Sequence, residues 1–61
     1  MRPNPKDEAI EIIQSFIDEG FLPAAARIAA LVAVEYLIAN ERLDVGDESW
    51  WIRVKQEIEN L

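Results

Sequence analysis

The chain contains no cysteine and no histidine among its 61 residues. Without cysteine it forms no disulfide, and without either residue it has no thiolate or imidazole ligand for a metal. The usual general bases and thiol nucleophiles are absent as well, and neither Ser15 nor Ser49 has a neighbouring base that could activate it. The sequence therefore predicts that the protein is not an enzyme and has no catalytic residues, no metal site and no cofactor.

Basic residues are few, with six Lys and Arg against twelve Asp and Glu, which gives a formal net charge of −6. Binding to the phosphates of nucleic acid requires clustered Lys and Arg side chains. Apart from the N-terminal residues and the Glu41–Arg42 step, only Arg53 and Lys55 lie close together. The composition therefore argues against a nucleic-acid partner and favours a basic protein partner.

Long apolar runs are also absent. The longest uncharged apolar run, residues 28–34, is far shorter than the roughly 20 residues that a transmembrane helix needs. The N-terminal segment MRPNPKDEAI turns polar and contains two prolines where the apolar region of a signal peptide would follow. We therefore expect no membrane-spanning segment and no signal peptide, and we expect the protein to be cytoplasmic.

Apolar residues recur at helical spacing along the chain, and no segment has a pattern typical of a strand. We predict an all-α protein with one small domain, residues 1–61, and helices at about residues 5–19, 23–42 and 48–60. Asn4 and Pro5 have the residue types preferred at the N-cap and the first position of a helix. Asp47 is the predicted cap of the third helix, after a turn around Gly46.

Gly20 is the predicted end of the first helix, because glycine readily adopts the left-handed conformation that is common just past a helix C-terminus. Phe21 would then contact Phe16, as the hydrophobic pair of a Schellman motif does. Since Pro23 opens the next helix shortly afterwards, the first two helices are expected to form an antiparallel hairpin.

The second helix is apolar around most of its circumference, so one neighbouring helix cannot cover it. A domain of this size buries only about 60% of the surface that its unfolded chain exposes. Neither a disulfide nor a thiolate or imidazole metal site can stabilise this chain, which leaves oligomerisation. We therefore predict a helical hairpin plus a third helix that assembles as a homodimeric helical bundle.

Two sides of the second helix differ in sequence. One side has a track of small residues, Ala25, Ala29 and Ala33 at four-residue spacing, beside Ala26, Ala30 and Leu37, and it suits close packing within the hairpin. The opposite side is edged by charge and suits a second chain. The predicted dimer interface comprises five residues of that side: Arg27, Ile28, Leu31, Glu35 and Ile38.

Arg27 and Glu35 lie symmetrically about Leu31, four residues to either side. If two copies of the helix cross antiparallel with a two-fold axis near Leu31, Arg27 of each chain meets Glu35 of the other, which would fix the direction and register of the pair. The alternative is that both are unrelated charges at the surface of the helix.

Trp50 and Trp51 are the other distinctive feature. Adjacent helical residues point about 100° apart, so one tryptophan can enter the core while the other covers a seam or faces outward. Together with Val54 they are candidate partner-binding residues, since tryptophan is enriched at binding hot spots. In the alternative interpretation, both tryptophan rings pack against the hairpin and cover its core.

The function that these patterns favour is a non-enzymatic protein–protein interaction module, a small acidic homodimeric adaptor or regulator with itself and a further protein as partners. One alternative is a regulator linked to nucleic acid, either an acidic mimic of DNA or a weak helix-turn-helix reader. Another is a docking or structural subunit of a larger assembly.

Overall fold

The structure is a computed structural model that describes residues 2–61, and three helices make up most of it: α1 (Pro5–Asp18), α2 (Pro23–Asn40) and α3 (Val45–Asn60). The chain is 80% helical, and no strand occurs within residues 2–61. The predicted all-α class is confirmed. Each helix packs against both others, so the three form one bundle within a single chain.

Both predicted signals at the start of α1 are confirmed. The backbone N–H of Lys6 donates a hydrogen bond of 2.8 Å to the side-chain oxygen of Asn4, and Pro5 is the first helical residue. Proline is well placed there, because the first N–H groups of a helix have no partner within it. Asp7 and Glu8 follow in the first turn, where negative charge interacts favourably with the helix dipole.

The end of α1 is a Schellman motif, also as predicted. Gly20 has a φ of 106°, and its N–H donates to the carbonyl of Ile17 at 2.9 Å, while the N–H of Phe21 donates to the carbonyl of Phe16 at 3.1 Å. The rings of Phe16 and Phe21 meet edge to face, with their centroids 5.4 Å apart. This motif reverses the chain, and α2 begins at Pro23.

The start of α3 differs from the prediction. Asp44, and not Asp47, is the N-cap, because the N–H of Asp47 donates to the carboxylate of Asp44 at 2.8 Å. The helix therefore begins at Val45 and includes Gly46, which the sequence placed in the turn. An earlier cap adds nearly one turn to α3, and it keeps Asp47 and Glu48 in the first turn, where negative charge is favourable.

The core is small. Among residues 2–61, six apolar side chains are buried: Ala9, Ala26, Ala30, Val34, Val54 and Ile58. Half of them are alanines, so Val34, Val54 and Ile58 supply most of the buried volume, at about 1.5 to 3 kcal/mol for each fully buried side chain. Seven larger side chains are partly buried around this centre: Ile12, Ile13, Phe16, Leu31, Ile38, Trp50 and Trp51.

The inward side of α2 overlaps the predicted side of small residues only in part. Ala26, Ala30 and Val34 point into the core, whereas Ala25 and Ala33 are exposed. The small inward residues allow α2 to lie close to its neighbours.

Candidate interaction surface on the second helix

An apolar surface runs along the side of α2 that faces away from α1 and α3. We call it the α2 outer face and define it by six exposed residues: Leu22, Ala25, Ile28, Val32, Tyr36 and Ala39. Its four large members are 76% exposed at Leu22, 60% at Ile28, 59% at Val32 and 67% at Tyr36. From Ala25 onward the spacings are three, four, four and three residues, which keeps the side chains in one stripe along the helix.

The two charged residues of α2 lie to the side of this stripe, towards α3. Arg27 donates from its guanidinium to the backbone carbonyl of Glu59 at 3.3 Å, and the carboxylate of Glu35 lies 3.7 Å from the ammonium of Lys55. Both contacts are exposed, so each contributes little to stability. They nevertheless give both charges a partner within the chain and leave the middle of the α2 outer face without charge.

The five residues of the predicted dimer interface are consequently divided. Leu31 and Ile38 are partly buried against the core, while Arg27 and Glu35 contact α3. Only Ile28 lies on the α2 outer face. A dimer centred on Leu31 would have to replace contacts that α3 already makes, which is the physical reason to look for an interface at the exposed stripe instead.

The candidate residues of α3 are covered within the chain to different degrees. Val54 is fully buried, so a partner cannot reach it in this fold. Trp50 and Trp51 are half-buried and contact each other edge to face, with ring centroids 4.8 Å apart. Both side chains therefore cover part of the core. This arrangement agrees with the alternative interpretation of the two tryptophans.

The N-terminal residues lie across Trp50. Its indole N–H donates to the carbonyl of Pro3 at 3.1 Å, and the guanidinium of Arg2 lies 5.1 Å from the ring centroid, within reach of a cation–π interaction. Arg2 also forms an ion pair with Asp47 at the start of α3. These contacts fasten the segment before α1 to α3 and cover part of the tryptophan surface.

Other parts of the surface offer less to a ligand. An open polar groove of about 370 Å³ is lined by Asn4, Pro5, Arg53, Gln56 and Glu57. Within residues 2–61, acidic side chains form no group of three or more that could hold a metal ion. In the same part of the chain, every buried side-chain nitrogen or oxygen atom has a hydrogen-bond partner. The α2 outer face is thus the most distinct candidate site.

The length of α2 bears on the membrane question. Of the helices that the structure describes, only α2 is long and apolar enough to cross a membrane, with a mean hydropathy of 1.3 over its 18 residues. The whole of α2 is therefore closer in length to a membrane-spanning helix than the uncharged apolar run of residues 28–34 alone. Core helices and signal sequences have similar length and composition, so these properties alone do not assign a span.

Sequence reasoning did not single out Val32 and Tyr36, because an almost wholly apolar helix has no obvious outer side. One signal was available: the hydroxyl group of Tyr36 needs water or a polar partner, and it therefore favours the exposed side of the helix. Comparison with known proteins adds no further guide, since no protein-family model, no curated protein and no solved structure matches this chain.

Proposed function

We propose that this protein is a non-enzymatic interaction module, a small acidic adaptor or regulator that works as a homodimer. The observation that carries the proposal is the α2 outer face, an exposed apolar stripe as long as the helix itself. Soluble monomers rarely expose a contiguous apolar surface of more than a few hundred Å², and larger ones usually mark an interaction site. Binding through this stripe would make the surface, and not a reactive group, the functional part of the molecule.

The total surface of the chain is consistent with an uncovered face. Size scaling gives about 4,000 Å² of accessible surface for a folded monomer of this mass. The chain, at 7.0 kDa, exposes 4434 Å². The accessible surface of the chain is thus about a tenth larger than the scaling gives. The exposed side chains of the α2 outer face contribute to this excess. Covering them would supply apolar burial that the thin core lacks.

The net charge of the chain affects how a second copy can bind. Each chain carries a net charge of −6, so two chains repel each other, and this repulsion is least where the contact surface itself is uncharged. The α2 outer face meets this condition, since its members are uncharged and Lys55 offsets Glu35 at its edge. We therefore expect association to strengthen as salt screens the repulsion between the chains.

The size of the α2 outer face indicates how strongly two chains are expected to bind each other. An α2 of 18 residues is about 27 Å long. A pair of such helices covers less than the roughly 800 Å² per partner of a standard interface, which places the contact among weaker, reversible complexes. We expect a dissociation constant on the order of micromolar, within reach of analytical ultracentrifugation.

The test places one charge in the middle of the stripe. Val32→Asp should abolish dimerisation, because two carboxylates would face each other without a cationic partner. Val45→Asp is the matched control: Val45 is 85% exposed at the start of α3, it is not one of the residues of the α2 outer face, and the change is chemically identical. Sedimentation equilibrium would show the mass of each variant, and circular dichroism its helical content.

The proposal predicts a monomeric, helical Val32→Asp variant beside a dimeric Val45→Asp variant. Equal dimerisation of both would refute the α2 outer face as the contact. A wild-type chain that stays monomeric at every concentration would refute the homodimer and favour the docking-subunit alternative, in which another protein covers the stripe. Binding of the monomer to neutral phospholipid vesicles would indicate a membrane surface instead.

The helix-turn-helix alternative depends on cationic side chains that can reach the phosphates of DNA. Of the two basic residues that were close in sequence, Lys55 is partly buried and pairs with Glu35, while Arg53 lies at the polar groove. A helix-turn-helix reader would need several such side chains to contact phosphates. We therefore retain protein association, and not DNA binding, as the proposed function.

A further inference from the structure

The arrangement of residues along the α2 outer face specifies how two copies would meet. Resting on the proposed homodimer, we infer that the two α2 helices cross antiparallel, with the two-fold axis at Val32. Five of the six residues of the stripe are symmetric about Val32: Ile28 and Tyr36 lie four positions to either side, and Ala25 and Ala39 lie seven. Leu22, which precedes α2, lies outside this symmetric part. An antiparallel crossing therefore pairs Ile28 with Tyr36 of the second copy and Ala25 with Ala39.

These pairings give layers of compatible size. The spacing between packed helices depends on the side chains at the contact. Each end of the crossing would have two alanines, the next layers one isoleucine and one tyrosine, and the centre two valines. In a parallel pair, by contrast, Tyr36 would meet Tyr36 and Ile28 would meet Ile28. The tyrosine layer would then be much bulkier than the isoleucine layer.

The neighbouring residues support the same direction. Ala29 is small and partly buried beside the stripe, which leaves space for the ring of Tyr36 from the second copy. In an antiparallel crossing the two Glu35 residues lie about 9 Å apart along the helix axis, whereas a parallel pair places them side by side. Antiparallel helices also align their dipoles favourably. Because Lys55 stays close to Glu35, neither chain has to break this ion pair to associate.

This register differs from the one centred on Leu31. In the register centred on Leu31, the two-fold axis would pass through Leu31 itself, which already packs against the core. Arg27 would have to give up its contact with Glu59, and Glu35 its contact with Lys55. With the axis at Val32, Leu31, Arg27 and Glu35 can keep these intrachain contacts. The two registers lie on sides of α2 about 100° apart, so they can be separated by experiment.

The absence of cysteine from the chain makes single-cysteine cross-linking a clean test. Val32→Cys, Ile28→Cys, Tyr36→Cys and Leu31→Cys would each be oxidised at a concentration where the wild type is dimeric. A disulfide requires Cα atoms within about 7 Å. At the two-fold axis the two copies of position 32 satisfy this limit, whereas two copies of position 28, or of position 36, lie about 12 Å apart along the axis.

The inference predicts that Val32→Cys forms a covalent dimer about ten times faster than Val45→Cys, which reports random collisions in solution. Ile28→Cys and Tyr36→Cys should not cross-link alone, but an equimolar mixture of the two should give the mixed dimer. Helical content would be measured for each variant to show that it folds, which is expected at positions 28, 32, 36 and 45 because they are exposed. Leu31 is partly buried against the core, so the measurement matters most for Leu31→Cys.

Other outcomes overturn the register or the homodimer separately. Rapid cross-linking of Ile28→Cys with itself would mean a parallel pair, and faster cross-linking of Leu31→Cys than of Val32→Cys would mean the Leu31 axis. If the wild type sediments as a dimer while Val32→Cys cross-links no faster than Val45→Cys, the inferred register is wrong and the homodimer stands. If the wild type is a monomer, the homodimer itself is wrong.

Discussion

Two isoleucines of the chain allow folding and assembly to be perturbed separately by the same substitution. Ile58 is fully buried in the core, whereas Ile28 is 60% exposed on the α2 outer face. Replacing either by alanine removes the same carbon atoms. We expect Ile58→Ala to destabilise the monomer and Ile28→Ala mainly to weaken the dimer.

The expected free-energy change of each substitution follows from how much of the isoleucine side chain is buried. Ile58→Ala should lower the free energy of unfolding by about 2 to 5 kcal/mol, because it loses the transfer free energy of the side chain and leaves a cavity. For Ile28→Ala only the covered part of the side chain counts in the monomer, which gives about 1 kcal/mol at roughly 0.8 kcal/mol per buried methylene. The remaining part, buried in both chains of the dimer, corresponds to about 3 kcal/mol, or roughly a 100-fold rise in the dissociation constant.

Urea denaturation at a concentration well below the dissociation constant would measure the folding effect, and sedimentation equilibrium would measure association. The expected pattern is a large loss of stability for Ile58→Ala and a large loss of association for Ile28→Ala. The reasoning is refuted if Ile28→Ala leaves the dissociation constant within a factor of about two, a change of less than 0.5 kcal/mol. It is also refuted if Ile28→Ala destabilises the monomer as much as Ile58→Ala does.

Four further substitutions test three local features of the fold. Gly20→Ala should lower the unfolding free energy in urea by about 1 to 2 kcal/mol through backbone strain alone, since an added Cβ would contact nothing within 4 Å; no loss would contradict the positive φ. Asp44→Ala should cost about 1 kcal/mol and reduce helical content by circular dichroism, whereas Asp47→Ala should cost less if Asp44 is the cap. Trp50→Phe removes the hydrogen bond to Pro3, so a fluorophore on the N-terminus should become more mobile in anisotropy measurements, at a stability cost of about 1 kcal/mol.

Features governed by local chemistry were predictable from the sequence. Asn4 and Pro5 mark the start of α1, and Gly20 with Phe21 marks its end, because capping depends on residues within a few positions of each other. Asp44 and Asp47 show the limit of such signals. Both are suitable caps, and which of them is used depends on how α3 packs, so the start of α3 was placed too late.

The orientation of α2 could not be predicted in the same way. Its apolar residues surround the helix, so the sequence pattern alone does not favour one side for the core. Of the predicted side of small residues, Ala26 and Ala30 face inward while Ala25 and Ala33 do not, because contacts with α1 and α3, which lie far away in sequence, decide the rotation. The exposed stripe at Val32 follows from that rotation and becomes visible only in three dimensions.

The most direct test of the account is sedimentation equilibrium of the unmodified chain across a wide concentration range, in moderate salt and with helical content measured on the same samples. We predict a reversible increase from 7.0 kDa towards twice that mass as the micromolar range is crossed, with a helical monomer at the low end. A chain that remains at 7.0 kDa at every concentration would contradict the homodimer, and with it the assignment of the α2 outer face as a self-association surface.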